Sequence, residues 1–188
     1  RRFKEVAHRI EEAILDNSLE LNFQPIYSFE KNRITSLEVL SRLKDGKHNY
    51  INPEYFIHVA EINHTIIQLS RQMFEKTCRF AVDNNIFDRG INDMNINISP
   101  IQCQDKHLVQ DLKKIAAKYG IPFERFHFEI TESRLTDEKA VRETLTKLKE
   151  NGAKIALDDF GTGYSNIASI MLMPIDFVKI DKSLLWSY

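Results

Sequence analysis

The sequence predicts an α/β fold, a (β/α)8 barrel of TIM type opened by an antiparallel hairpin. Three observations carry that reading. Apolar residues alternate between a two-residue and a helical period, and after an initial pair of strands the order is strand, helix, strand, helix. That repeat calls for a parallel sheet with helices outside it. One polar residue stands among apolar neighbours near the end of each successive strand, and strand ends converge on the active face of such barrels. Finally, 43% of the 188 residues are hydrophobic, which suits one globular domain with a real core.

The elements follow in order. Phe3, Val6, Ala7, Ile10, Ala13 and Ile14 recur at helical spacing, and Asp16-Asn17-Ser18 ends that N-terminal helix, taken as residues 1–17. Leu21 to Tyr27 and Arg33 to Leu40 read as strands with only Glu30-Lys31-Asn32 between them. A parallel crossover needs about a dozen residues, so this pair is a hairpin. Asn52-Pro53 starts a helix through a good N-cap and a proline at the first turn. A longer helix carries Ile66, Leu69, Met73 and Phe74. Then come a strand at Met94 to Ile98, a helix marked by Leu108, Leu112 and Ile115, and a strand at Phe126 to Ile130. A helix at Val141 to Leu148, a strand at Lys154 to Asp158, a short helix around Asn166 to Met171 and a strand at Phe177 to Asp181 complete the series. Nothing suggests a repeat or a linker, so residues 1–188 are taken as one domain.

Charge and cysteine usage narrow the function. Charged residues make up 28% of the chain with both signs interspersed, and the formal net charge is -1. That offers no basic face for duplex nucleic acid. Cys78 and Cys103 lie far apart, and the six histidines form no metal-ligand pair and are taken as surface or helix residues. A zinc site or disulfide framework is not expected, and reduced thiols fit a cytoplasmic domain. No apolar run approaches the roughly 20 residues of a membrane span, so this domain is expected to make no membrane contact. A membrane anchor upstream in the parent protein stays open.

The polar strand-end residues are Glu38, Asn97, Glu129, Asp158 and Lys179. Taken singly, each has an ordinary reading. A strand-end carboxylate pairs with a helix N-terminus or a lysine, Asn97 forms a turn before Pro100, and Lys179 is a surface lysine. Five at successive strand ends are harder to dismiss. Converging carboxylates repel one another unless cations neutralise them. Carboxylate and carboxamide oxygens suit Mg²⁺ or Mn²⁺ rather than zinc or copper. The grouping therefore asks for divalent metal, two ions bridged by Asp158, which is apparatus suited to a phosphodiester.

At these residues the chain resembles the EAL domain family. The matching segments, in family order, are Phe23-Gln24-Pro25-Ile26, Glu38-Val39-Leu40-Ser41-Arg42, Asn97-Ile98-Ser99-Pro100, Glu129-Ile130-Thr131-Glu132, Asp158-Asp159-Phe160-Gly161-Thr162-Gly163-Tyr164-Ser165 and Lys179-Ile180-Asp181. The resemblance implies hydrolysis of cyclic di-GMP to the linear dinucleotide. It implies that Glu38, Asn97, Glu129, Asp158 and Asp159 hold the Mg²⁺ or Mn²⁺ ions, and that Lys179 contacts the attacking water or the phosphate. Lys179, Asp159 and Glu38 are thus the catalytic candidates. Arg42 would contact the dinucleotide, with Gln24 and Leu40 on the same substrate surface, although Gln24 and Leu40 can equally be barrel packing. The ordinary alternative for Arg42 is a surface pair with Asp45. Glu132 matches a glutamate that orders the Asp158 loop and couples it to a homodimer contact. Upstream sensory or GGDEF modules usually accompany such domains.

Three departures accompany the resemblance. Val39 replaces the alanine of the name motif. Residues 61–67 lack the usual glycine between two helices. The chain stops at Tyr188, whereas the family continues through two more strand-helix units bearing a further glutamate and a glutamine. A barrel takes about 250 residues, and about six strands are found here. The expectation is therefore a truncated domain with exposed sheet edges and an exposed apolar interior. A non-catalytic module that binds cyclic di-GMP or a partner protein is the alternative to the enzyme.

Overall fold

The structure is a computed structural model that describes residues 2–47, 49–131, 139–161 and 170–185. Helix α1 (Arg2–Leu15) buries Val6, Ile10 and Ala13, the stripe seen in the sequence. Strands β1 (Glu20–Ser28) and β2 (Arg33–Lys44) form the antiparallel hairpin, with Gln24 directly opposite Glu38. Strand β2 runs four residues past its expected end. Its upper part stays paired to β1 as far as Arg42 and then to the two-residue β3 (Tyr50–Ile51). Its parallel part ends at Val39.

Helix α2 (Pro53–Ile62) begins at the Asn52 cap, whose side chain accepts from the Tyr55 N–H at 3.3 Å. Helix α3 (Ile66–Asp83) follows after a turn in which His64 adopts φ 57°. This left-handed residue lies in the segment where the family resemblance expects a glycine. Strand β4 (Asp93–Asn97) leads into the short α4 (Pro100–Cys103). The sequence reading missed α4, although Ser99 and Gln102 form a reciprocal capping box there. Helix α5 (Leu108–Lys118), strand β5 (Phe126–Thr131), helix α6 (Lys139–Glu150), strand β6 (Lys154–Phe160), strand β7 (Phe177–Ile180) and a last turn, α7 (Lys182–Leu185), complete the order. The expected helix at Asn166 to Met171 falls largely outside the described residues.

The sheet order is β1-β2-β4-β5-β6-β7, with β2 through β7 parallel along the main path. This curled half-barrel is an incomplete version of the predicted (β/α)8 fold. One face packs against the helices and forms the core. Val39, Met94, Ile96, Phe126, Phe128, Ile130, Ile155 and Leu157 are all buried there. Phe74 of α3 lies 4.6 Å from Phe126 and 6.4 Å from Phe128 between ring centroids. Burial pushes the Cys78 thiol of α3 up to about 12, consistent with a packing role.

The opposite, concave face is not the apolar surface expected from the sequence. Strand register brings Glu38, Asn95, Asn97, His127, Glu129, Asp158 and Lys179 to it. His127 is therefore neither a surface nor a helix residue. Its imidazole is 3.4 Å from Asp93 and its ring meets Phe177 edge-on. Large exposed apolar side chains occur instead at Val178 and Ile180 of β7 and at Met171 and Leu172 before it.

Candidate metal and active site

Strand pairing assembles the site. Side chains alternate across a strand, so directly paired residues share a face. Asn97 pairs with Glu129, and Thr131 pairs with Asp158. Glu38 pairs with Asn95, two residues before Asn97. Glu38, Glu129 and Asp158 consequently present carboxylate oxygens that all lie within 4.8 Å of one another. Lys179 reaches over from β7. Its Nζ donates to Glu129 Oε2 at 2.7 Å and to Glu38 Oε2 at 3.1 Å, and lies 3.4 Å from Asp158 Oδ1.

The charges are not balanced. Three carboxylates face one ammonium, and Glu129 is fully buried. Burial pushes the Glu129 carboxyl above the usual carboxylate range and Glu38 adds to the push, while Lys179 and Asn95 oppose it. Burial alone would lower the Lys179 ammonium, but Glu129, Asp158 and Glu38 outweigh it and raise it above an ordinary lysine.

Asp159 owes its place to a bulge. Leu157 pairs with Val178 and Phe160 with Ile180, so β6 holds one more residue than β7 over this stretch. The extra residue lets Asp158 and Asp159 both border one cavity of about 520 Å³. Asp159 sits at φ 55°, a left-handed conformation that aspartate tolerates better than most residues. Partial desolvation in the cavity wall, then the Asp158 and Asp181 carboxylates, raise its carboxyl. Gly161 follows at φ 102°, a left-handed backbone conformation that favours glycine.

The remaining candidates fall around this centre. Asn97 Nδ2 approaches Glu38 Oε1 at 3.5 Å and also borders the cavity. Leu40 and Arg42 follow Glu38 on the same face of β2 and line the same cavity. Gln24 lies across the β1–β2 ladder from Glu38, at a largely exposed position. Asp159 does not join the close carboxylate triplet among the described residues. Glu132 and Gly163 lie outside the described residues. One participant was missed in the sequence: Asn95, whose Nδ2 donates to Glu129 Oε1 at 2.7 Å. Its only sequence signal was the alternation of polar and apolar residues in β4, which puts it on the same face as Asn97.

The donor set fits a divalent metal. Three carboxylates at this separation, with a carboxamide beside them, offer hard oxygen ligands carrying excess negative charge. No thiolate or imidazole belongs to the group.

The EAL domain family model matches residues 7–187. The chain belongs to the EAL domain family. This EAL domain is 35% identical over 176 residues to the signaling protein YkoW of Bacillus subtilis, covering 93% of this chain and 22% of that protein. It is 27% identical to the cyclic di-GMP phosphodiesterase NbdA of Pseudomonas aeruginosa, covering 95% of this chain and 23% of the relative. The chain thus spans less than a quarter of the length of these two relatives. Among solved structures it resembles the PaMucR phosphodiesterase in its cyclic di-GMP complex. The TM-score is 0.83 at 26% identity, over 96% of this chain and 73% of that one. The half-barrel is therefore the EAL form of the TIM-type fold.

Proposed function

We infer that this EAL domain hydrolyses one phosphodiester of cyclic di-GMP to give the linear dinucleotide. The observation that carries the reading is the convergence of Glu38, Glu129, Asp158 and Lys179 from four strands beside the cavity. The names of NbdA and of the PaMucR complex support cyclic di-GMP as the ligand.

The roles proposed here rest on the carboxylate-lysine cluster and on the family resemblance. Glu38, Glu129 and Asp158, with Asn97 and Asp159 beside them, hold Mg²⁺ or Mn²⁺, two ions in the full reading. The metal supplies neutralisation of the phosphate and activation of water. Lys179 keeps a positive charge where the phosphodiester oxygens gain negative charge. Asp159, beside Asp158 in the cavity wall, is the group proposed to take the proton given up by the attacking water. Arg42 offers a planar fork of donors to a phosphate or a guanine edge. Leu40 and Gln24 complete the substrate surface. Ordering of the Asp158 loop by Glu132, a homodimer contact and an upstream sensory or GGDEF module belong to the same proposal.

The test is chromatography of cyclic di-GMP incubated with the full-length protein and either metal. Appearance of the linear dinucleotide, suppressed by a chelator, supports the enzyme. Calorimetric binding of cyclic di-GMP without any turnover would replace it with a binding module.

A further inference from the structure

We propose that Asn95 is a positioning residue that fixes Glu129 for metal binding. The proposal rests on the reading of this cluster as a divalent-metal site. Glu129 is fully buried at the centre of the cluster, and its two oxygens are divided between two partners. Oε2 accepts from Lys179 at 2.7 Å, and Oε1 accepts from Asn95 at 2.7 Å. Lys179 is 27% exposed at the end of a flexible stem. Asn95 is only 4% exposed, on the short side chain of a central strand, and is the more rigid of the two anchors.

The rest of the Asn95 side chain shows what it is for. Its Oδ1 is buried, and no hydrogen-bond donor reaches it among the described residues. Leaving such an oxygen without a donor costs stability, on the order of 1–3 kcal/mol. Among the described residues, the side chain's one polar bond goes to Glu129. That bond restrains the Glu129 carboxylate, which offers an oxygen within 4.8 Å of ones on Glu38 and Asp158. Partners of this kind behind metal ligands typically change metal affinity by about 10–100-fold.

Asn95→Leu keeps the size of the side chain and removes the donor, and Asn95→Ser shortens it. Mn²⁺ binding to the full-length protein, titrated by electron paramagnetic resonance without nucleotide, is the first readout. At least one folded variant should bind Mn²⁺ about 10-fold or more weakly than the parent. In turnover, kcat at a fixed low Mn²⁺ concentration should fall while KM for cyclic di-GMP stays the same, and saturating Mn²⁺ should recover part of kcat. A merely structural role would lower the folded fraction without moving the Mn²⁺ affinity of the folded molecules. Mn²⁺ affinity within twofold of the parent in every folded variant overturns the proposal. Because metal binding is read without substrate, an inactive parent that still binds Mn²⁺ would refute the phosphodiesterase reading and leave the Asn95 role standing. A parent that binds no Mn²⁺ refutes both.

Discussion

Lys179 touches the most carboxylates in the cluster and gives the sharpest test at the scale of one residue. With Lys179→Met the fully buried Glu129 loses the one charged partner it has at hydrogen-bond distance among the described residues. Breaking a buried pair from one side costs about 3–5 kcal/mol, and denaturant unfolding of the metal-free variant should show a loss of that order. Adding Mn²⁺ should restore more stability to the variant than to the parent, because the ion replaces the missing charge. The five strand-end residues were legible in the sequence because each interrupts an apolar run. Asn95 was not, because an asparagine two residues before Asn97 fits simple alternation. Only the pairing of Asn97 with Glu129 fixes which face these asparagines share. Likewise, the Asp158-Asp159 pair was legible as a motif, but the bulge that lets both aspartates border the cavity depends on how β7 pairs with β6.

Between elements, the α2–α3 turn and the β6–β7 junction yield predictions. His64 holds a left-handed conformation that costs an L-residue roughly 1–2 kcal/mol, against about 0.5–1 kcal/mol of extra backbone entropy lost by glycine. His64→Gly should therefore raise stability by up to about 1 kcal/mol, readable as a higher denaturation midpoint at unchanged slope. At the other junction, burial would push the Asp176 carboxyl up. The Lys149 ammonium at 2.7 Å and the Ile155 N–H at 2.9 Å outweigh burial and hold it below the usual range. An acid depressed in the fold contributes stability that is full above its unfolded value, about pH 4, and is lost as pH falls through the folded value. Asp176→Asn should accordingly destabilise the protein at pH 7, and the difference from the parent should shrink in titrations below about pH 4. Element types were legible because their hydrophobic periods are clear, and Asn52-Pro53 marked a real helix start. The overrun of β2 was not, because Ser41 to Lys44 are held as strand by β1 and β3 and not by their own pattern.

Over the whole molecule, the strand-helix alternation made the TIM-type architecture legible, and the family match bears that out. The polar character of the concave face was harder to see. Half the residues of each strand face it, and which half depends on register. That register gives the molecule its proposed function, since it gathers residues up to 141 positions apart, such as Glu38 and Lys179, within 3.1 Å. The most direct test is mass spectrometry of cyclic di-GMP incubated with the full-length protein and Mn²⁺ in ¹⁸O-labelled water. The expected product is the linear dinucleotide carrying a single ¹⁸O on its terminal phosphate, with no conversion after chelation. Cyclic di-GMP recovered unchanged at saturating Mn²⁺ would contradict it.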